Sequence, residues 1–178
     1  MTQLIVTPDS AGITDVPGFE AAGVACDIRD KHDLKRPDLA LLFSLRPCTA
    51  AGTFTKNAVK AAPVLLCQKH LAHGGPFHGI VANSGNANAC TGPEGLADAH
   101  TTAQRIAASL NLKPTAFFVC STGRIGQPLP MPKLLKGLER TVTDKGRTAD
   151  HGHKAASAIL TSDTKAKTVT VSFTYDGK

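Results

Sequence analysis

Apolar and polar positions along the chain divide it into short elements. Residues 19–29 (FEAAGVACDIR) alternate loosely and predict a first strand, and residues 31–38 a charged turn closed by Pro37. Residues 39–45 are a continuous apolar run, which predicts a strand covered on both faces. A further short strand is predicted over residues 50–55 (AAGTFT) and a buried one over residues 79–82. Asparagines and glycines then specify a loop through residues 83–92. Thr91-Gly-Pro-Glu94 reads as a capping box opening a helix, with Leu96, Ala99, Ala103, Ile106, Ala107 and Leu110 on one face. Phe117, Phe118 and Val119 predict a buried strand that ends in a turn at Ser121, Thr122 and Gly123. Pro128, Pro130 and Pro132 delay the next helix to residues 132–138. A polar linker over 141–149 leads to a helix over 151–160, whose apolar side is Ala155, Ala156 and Ile159. It stops at Thr161-Ser-Asp-Thr164.

Residues 167–175 alternate, with Val169, Val171, Phe173 and Tyr175 on one face, and Asp176-Gly177 is a hairpin signal. A hairpin turn without a return strand predicts a fold completed by residues beyond this chain, and an unpaired edge prone to association. Alternating strands followed by continuous apolar ones predict an α+β fold with stacked sheets flanked by helices.

Composition narrows the function. A length of 178 residues suits a single domain, and no apolar run in it approaches a membrane span. The N-terminus lacks a basic region and signal core, so the expected compartment is cytoplasmic. The five cysteines are scattered and form no C-x-x-C, which predicts reduced, buried thiols. A net charge of +6 with 4% aromatics and no nucleic-acid signature points to an anionic small substrate or an acidic partner chain.

The candidate chemistry lies after the strand at Phe117. The Thr122 hydroxyl and the Gly123 backbone N–H are two donors at one strand exit, able to hold a developing oxyanion, although an ordinary strand-to-loop turn has the same sequence. Ser121-x-Gly123-x-x-Gly126 is not a dinucleotide fingerprint, because its first glycine is a serine and prolines stand where the phosphate-binding helix would run. Cys120 reads as a core thiol rather than a nucleophile. His70, His73 and His78, like His151 and His153, read as solvated loop histidines with no second ligand pair for a metal.

The stretches G-I-V-A-N-S-G-N-A-N-A-C-T-G, S-T-G-R-I-G-Q-P-L-P-M, A-A-P-V and A-A-S-A-I-L-T-S-D-T-K-A-K together resemble the ornithine acetyltransferase family, the bifunctional glutamate N-acetyltransferases of the cyclic arginine pathway. The resemblance runs from about residue 19 to the C-terminus. It implies an αββα sandwich similar to N-terminal-nucleophile enzymes, in a precursor that cuts itself before a threonine into α and β chains. That threonine, with its own α-amine as base, would take an acetyl group from N-acetylornithine and pass it to glutamate. By the same resemblance Thr122 and Gly123 form the oxyanion hole, and Thr161 touches the substrate. No metal or organic cofactor is implied, acetyl-CoA is an additional donor in some members, and the expected assembly is α2β2.

Arg124 departs from the family's usual small apolar residue, and Ser162 from a common threonine. The family's K-G-x-G-M and P-N-M-A-T landmarks are absent. Residues 1–178 are therefore expected to be a single-domain α part, shortened before the cleavage site and inactive without the β chain. The rival expectations are a non-catalytic remnant that binds an amino acid or a partner, and a related self-processing aminopeptidase.

Overall fold

The four strands of the main sheet are paired so that one-residue alternation sorts their side chains onto two differently covered faces. A computed structural model describes residues 4–174. The strands are β2 (Phe19–Val24), β3 (Leu39–Cys48), β4 (Phe77–Asn86) and β5 (Phe117–Arg124), after β1 (Leu4–Pro8). The helices are α1 (Ala62–His73), α2 (Gly92–Ser109), α3 (Met131–Asp144) and α4 (Ala149–Ala158), and β6 (Val169–Phe173) follows them. Sheet order is β2-β3-β4-β5, with β2, β3 and β4 antiparallel and β5 parallel to β4.

The row Ala22, Leu41, Val81 and Val119 faces one way. On that side α2 and α3 bring Ile106, Ala107, Leu134 and Leu138 onto Leu39, Leu41 and Phe117, all buried. There α1 and α2 close over Val119 through Leu66, Ala99 and Ala103. The opposite row is Ala21, Leu42, Ile80 and Phe118. Helix α4 lies against this side through Ala155 and Ala158 on Ala21 and Ala40.

The buried side of α4 is Gly152, Ala155 and Ala158, not the Ala155, Ala156 and Ile159 side that hydropathy predicts, and Ile159 is 49% exposed. Size decides this face. Gly23 of β2 admits the α4 backbone so closely that a Cβ there would overlap the Lys154 carbonyl, and only small residues fit so tight a contact.

The α+β class expected from the sequence is the one found, two sheets flanked by helices, but several elements differ. Residues 50–55 form no strand: the segment lies mostly exposed, with Phe54 its sole large apolar side chain, and no strand pairs with it among the described residues. Residues 62–73 form a helix where His70 and His73 had suggested a loop. Ala62, Pro63, Leu66, Cys67 and His70 are its buried side, with Pro63 in the first turn and Gly74 (φ 90) as the left-handed C-cap. Helix α3 extends to Asp144, through the first part of the predicted linker.

The capping box before α2 is not formed. The Thr91 hydroxyl donates to Asn88 Oδ1 (2.6 Å), and Asn88 Nδ2 donates to the Gly95 carbonyl (2.8 Å). The predicted last strand is present as β6 but does not stand alone, although only one of its edges is paired among the described residues. It pairs antiparallel with β1 in a ribbon from Leu4↔Phe173 to Pro8↔Val169. Tyr175 and the Asp176-Gly177 turn lie outside the described residues.

Candidate active site

Strand β5 does not turn at Ser121. It continues to Arg124 because β4 runs alongside it as far as Asn86, pairing Asn83 with Ser121, Ser84 with Thr122, Gly85 with Gly123 and Asn86 with Arg124. Local preference for a turn is outweighed by ladder hydrogen bonds to a neighbour of equal length. Gly123 has φ +132 and Gly85 φ +118, values that exclude ordinary side chains.

Buried amides stitch these strand ends together. Ser121 Oγ donates to Asn83 Oδ1 (2.7 Å), Asn83 Nδ2 to the Asn86 carbonyl (2.9 Å), and Asn86 Nδ2 to the Pro128 carbonyl (2.7 Å). Arg124 Nε donates to Asn86 Oδ1 at 3.0 Å. The Asn-rich stretch that reads as a loop is thus strand plus a hydrogen-bonded frame. Ser84, beside Thr122, is buried, and its hydroxyl has no partner among the described residues.

Two loops form the walls. In the segment after β2, Asp38 accepts the Cys26 and Ile28 backbone N–H groups (2.6 and 2.7 Å). Burial pushes the Asp38 carboxyl up, and those two hydrogen bonds oppose the shift. Asp27, at φ 58, accepts the Lys31 and His32 N–H groups (2.8 and 2.9 Å) and an ion pair from Lys133 at 2.8 Å. The Lys133 hydrogen bond is the main reason its carboxyl lies below the usual range. The second loop, after α4, is held by its backbone. Arg29 and Arg36 donate to the Leu160 carbonyl (3.0 and 3.1 Å), and Arg36 also to that of Thr161 (3.2 Å).

These parts enclose an open cavity of about 470 Å³. Thr122, Gly123 and Thr161, the three residues singled out from the sequence, all line it, although Thr161 comes from a different end of the chain. Thr122 and Gly123 are exposed rather than buried at a strand exit. Arg124 and Ser162 line it too, as do Arg29, Lys31 and Gly85, which the sequence assigns to the end of the first strand, the charged turn and the Asn-Gly loop. The only advance signal for Arg29 and Lys31 was the positive charge excess, which carries no position.

Among the described residues, the cavity wall carries Arg29, Lys31 and Arg124 and no carboxylate. Burial, and then the nearby Arg36 and Arg124 charges, pull Arg29 below its ordinary value, while Asp38 opposes them. None of Arg29, Lys31, Arg36 or Arg124 has an ion-pair partner among the described residues.

Other candidates fall into place elsewhere. His70 is not a solvated loop residue: it is buried, with Nδ1 2.7 Å from the Phe117 carbonyl. His78 stacks on Phe43 with ring centroids 6.0 Å apart, and His151 Nδ1 bonds Thr148 Oγ1 at 2.6 Å. Asp27, Asp30 and His32 are the one cluster with metal-ligand spacing among the described residues, but the Lys133 ammonium already sits on both carboxylates. Only Cys26 and Cys67 are the buried thiols expected of all five. Cys120 is exposed, yet poor solvation around its sulfur, and then Cys67, raise its thiol to about 11 and leave it protonated at neutral pH.

A cavity at strand ends, lined by Thr122 and Gly123 and rimmed by cations without ion-pair partners among the described residues, presents a positive field of the kind that suits an anionic group. The chain belongs to the ArgJ family, whose model matches residues 20–178. It is 45% identical over 170 residues to the arginine biosynthesis bifunctional protein ArgJ 1 of Clostridium acetobutylicum, covering 96% of this chain and 40% of that protein. Among solved structures, the ornithine acetyltransferase of Mycobacterium tuberculosis, complexed with ornithine, superposes with a TM-score of 0.87 at 44% identity, covering 96% of this chain and 88% of that one. The arginine biosynthesis bifunctional protein of Bacillus halodurans gives 0.89 at 32% identity, covering 99% and 90%. The chain spans about 40% of the length of the curated relatives it matches.

Proposed function

We propose that this chain is the α part of a self-processing acetyltransferase of arginine biosynthesis, moving an acetyl group from N-acetylornithine to glutamate. The observation that carries the reading is the meeting of Thr122, Gly123 and Thr161 in one cavity. Residues brought together from β5 and from the loop after α4 are what a transfer site needs, an oxyanion floor and a substrate wall.

In this reading the nucleophilic threonine comes from a β chain that also covers the exposed floor. Its hydroxyl attacks the acetyl carbonyl of N-acetylornithine, its proton passing to the threonine's own amine. The Thr122 hydroxyl and Gly123 N–H hold the oxygen as it gains charge. The carbon–nitrogen bond breaks, ornithine leaves with the proton, and a threonine ester remains. The glutamate amine then attacks the ester through the same oxyanion, giving N-acetylglutamate and the free threonine. The step needs no metal or organic cofactor, and acetyl-CoA could acylate the same threonine.

The αββα sandwich would be completed by a second sheet over the Ile80 and Phe118 end of the face, beyond the part that α4 covers, in an α2β2 assembly. A cytoplasmic location fits a biosynthetic role, and no helix among the described residues is long and apolar enough to cross a membrane.

The test is steady-state acetyl transfer by the complete enzyme. Parallel double-reciprocal lines, with an acetylated β chain seen by mass, are expected. Intersecting lines with no acetylated chain would overturn the reading.

A further inference from the structure

We infer that Arg124 is a selectivity residue of this cavity, favouring a ligand with a second carboxylate over one with an ammonium in its side chain. The inference rests on the preceding reading in taking the cavity as the substrate site; in that reaction it sets the balance between glutamate and ornithine, which differ in side-chain charge.

The geometry of Arg124 fixes its charge at the rim. Its backbone is held in the ladder opposite Asn86, with its carbonyl accepting the Ala87 N–H at 2.9 Å. Its side chain is braced by the 3.0 Å bond from Nε to Asn86 Oδ1 and a longer one, 3.4 Å, from Nη2 to the Arg29 carbonyl. A guanidinium has five N–H donors, so those not used here remain available to a carboxylate. The oxygens that brace it are uncharged, so its positive charge is not cancelled.

Arg29 and Lys31 add to the same field. Three neighbouring carboxylates, Asp27, Asp33 and Asp38, line the adjoining cavity rather than this one, and Asp30 pairs with Lys133. Of these, Asp27 is committed to Lys133, and Asp38 to the N–H groups of Cys26 and Ile28. A cationic rim attracts a side-chain carboxylate and repels an ammonium, while a carboxylate common to both ligands gives no discrimination.

The test is equilibrium binding of glutamate and of ornithine to the complete protein by calorimetry, which requires no turnover, alongside the transfer assay. Arg124→Gln removes the charge, and the glutamate-to-ornithine affinity ratio should fall by about fivefold or more. Arg124→Lys keeps the charge but loses the Nε bond to Asn86, and should stay near the native ratio. The difference between Gln and native proteins should shrink as salt is raised. An unchanged ratio in Arg124→Gln, or a lysine variant that behaves like the glutamine one, overturns the inference, as does failure of either ligand to bind. A shifted ratio in a protein without acetyl transfer supports the inference while defeating the proposed reaction. Normal transfer with an unshifted ratio does the reverse.

Discussion

Gly123 and Gly85 face each other across β4 and β5 so closely that a Cβ on Gly123 would overlap the Gly85 carbonyl. Gly123→Ala therefore has no room and a disallowed φ, and should destabilise the protein on the order of 2–4 kcal/mol. Gly126 also has a positive φ (72), but nothing lies within 4 Å of its Cβ position, so Gly126→Ala should cost only about 1 kcal/mol. Denaturant titration of both variants checks the contrast; equal losses would show that φ alone matters and that the close approach does not.

Thr122 lies in register beside Ser84 on the cavity floor. If its hydroxyl meets the substrate oxygen only when charge develops, Thr122→Ala in the mature enzyme should lower kcat by roughly 10²–10³ and leave KM nearly unchanged. Self-cleavage passes through a similar tetrahedral species, so the variant's processing must first be verified by mass. A fully cleaved variant with normal kcat would remove Thr122 from the oxyanion role.

Thr161 should behave in the opposite way. It stands on the cavity wall, on the loop whose carbonyls Arg36 holds. Thr161→Ala should raise KM for N-acetylornithine about tenfold, a loss typical of one or so kcal/mol of binding, with a smaller change in kcat. Initial rates over a range of substrate concentrations decide it; a large kcat loss at constant KM would assign it to the chemistry.

The Lys133–Asp27 pair predicts an acid limb. Asp27 is held below its ordinary value of 3.8, chiefly by the Lys133 hydrogen bond, so the folded state binds its proton less readily than the unfolded state. Its contribution to stability is then fully present above about pH 4 and lost as pH falls through the depressed pKa. In Lys133→Met that part of the acid limb should flatten. Denaturation midpoints measured from pH 2 to 7 in both proteins test this, and parallel curves would exclude Asp27 as the titrating group.

What the sequence made legible follows from the range of the forces involved. Most of the strand at Leu39–Cys48 was readable from its unbroken apolar run over residues 39–45, and the long helix at Gly92–Ser109 from a periodicity that reports burial residue by residue. Ser121, Thr122 and Gly123 were read as a turn because only the partner strand, far away in sequence, makes them extended. His70 hid a helix because a polar residue broke an apolar face that a single carbonyl acceptor allows it to join. Thr122 and Gly123 were found as donors at a strand exit and again through motif likeness, Thr161 through motif likeness alone, whereas Arg29 and Lys31 were missed. A charged run looks solvated until the fold shows that Asp27 and Asp38 bend it over the cavity.

The way Arg29 and Arg36 hold the loop after α4 separates shape from recognition. They grip the carbonyls of Leu160 and Thr161, groups that every amino acid carries. The course of this loop around Leu160 and Thr161 is therefore encoded far upstream, leaving the side chains of Thr161 and Ser162 free to be exchanged. Residues 161 and 162 can drift or be engineered toward new ligands without rebuilding the scaffold, whereas a change at Arg36 would disturb every ligand alike.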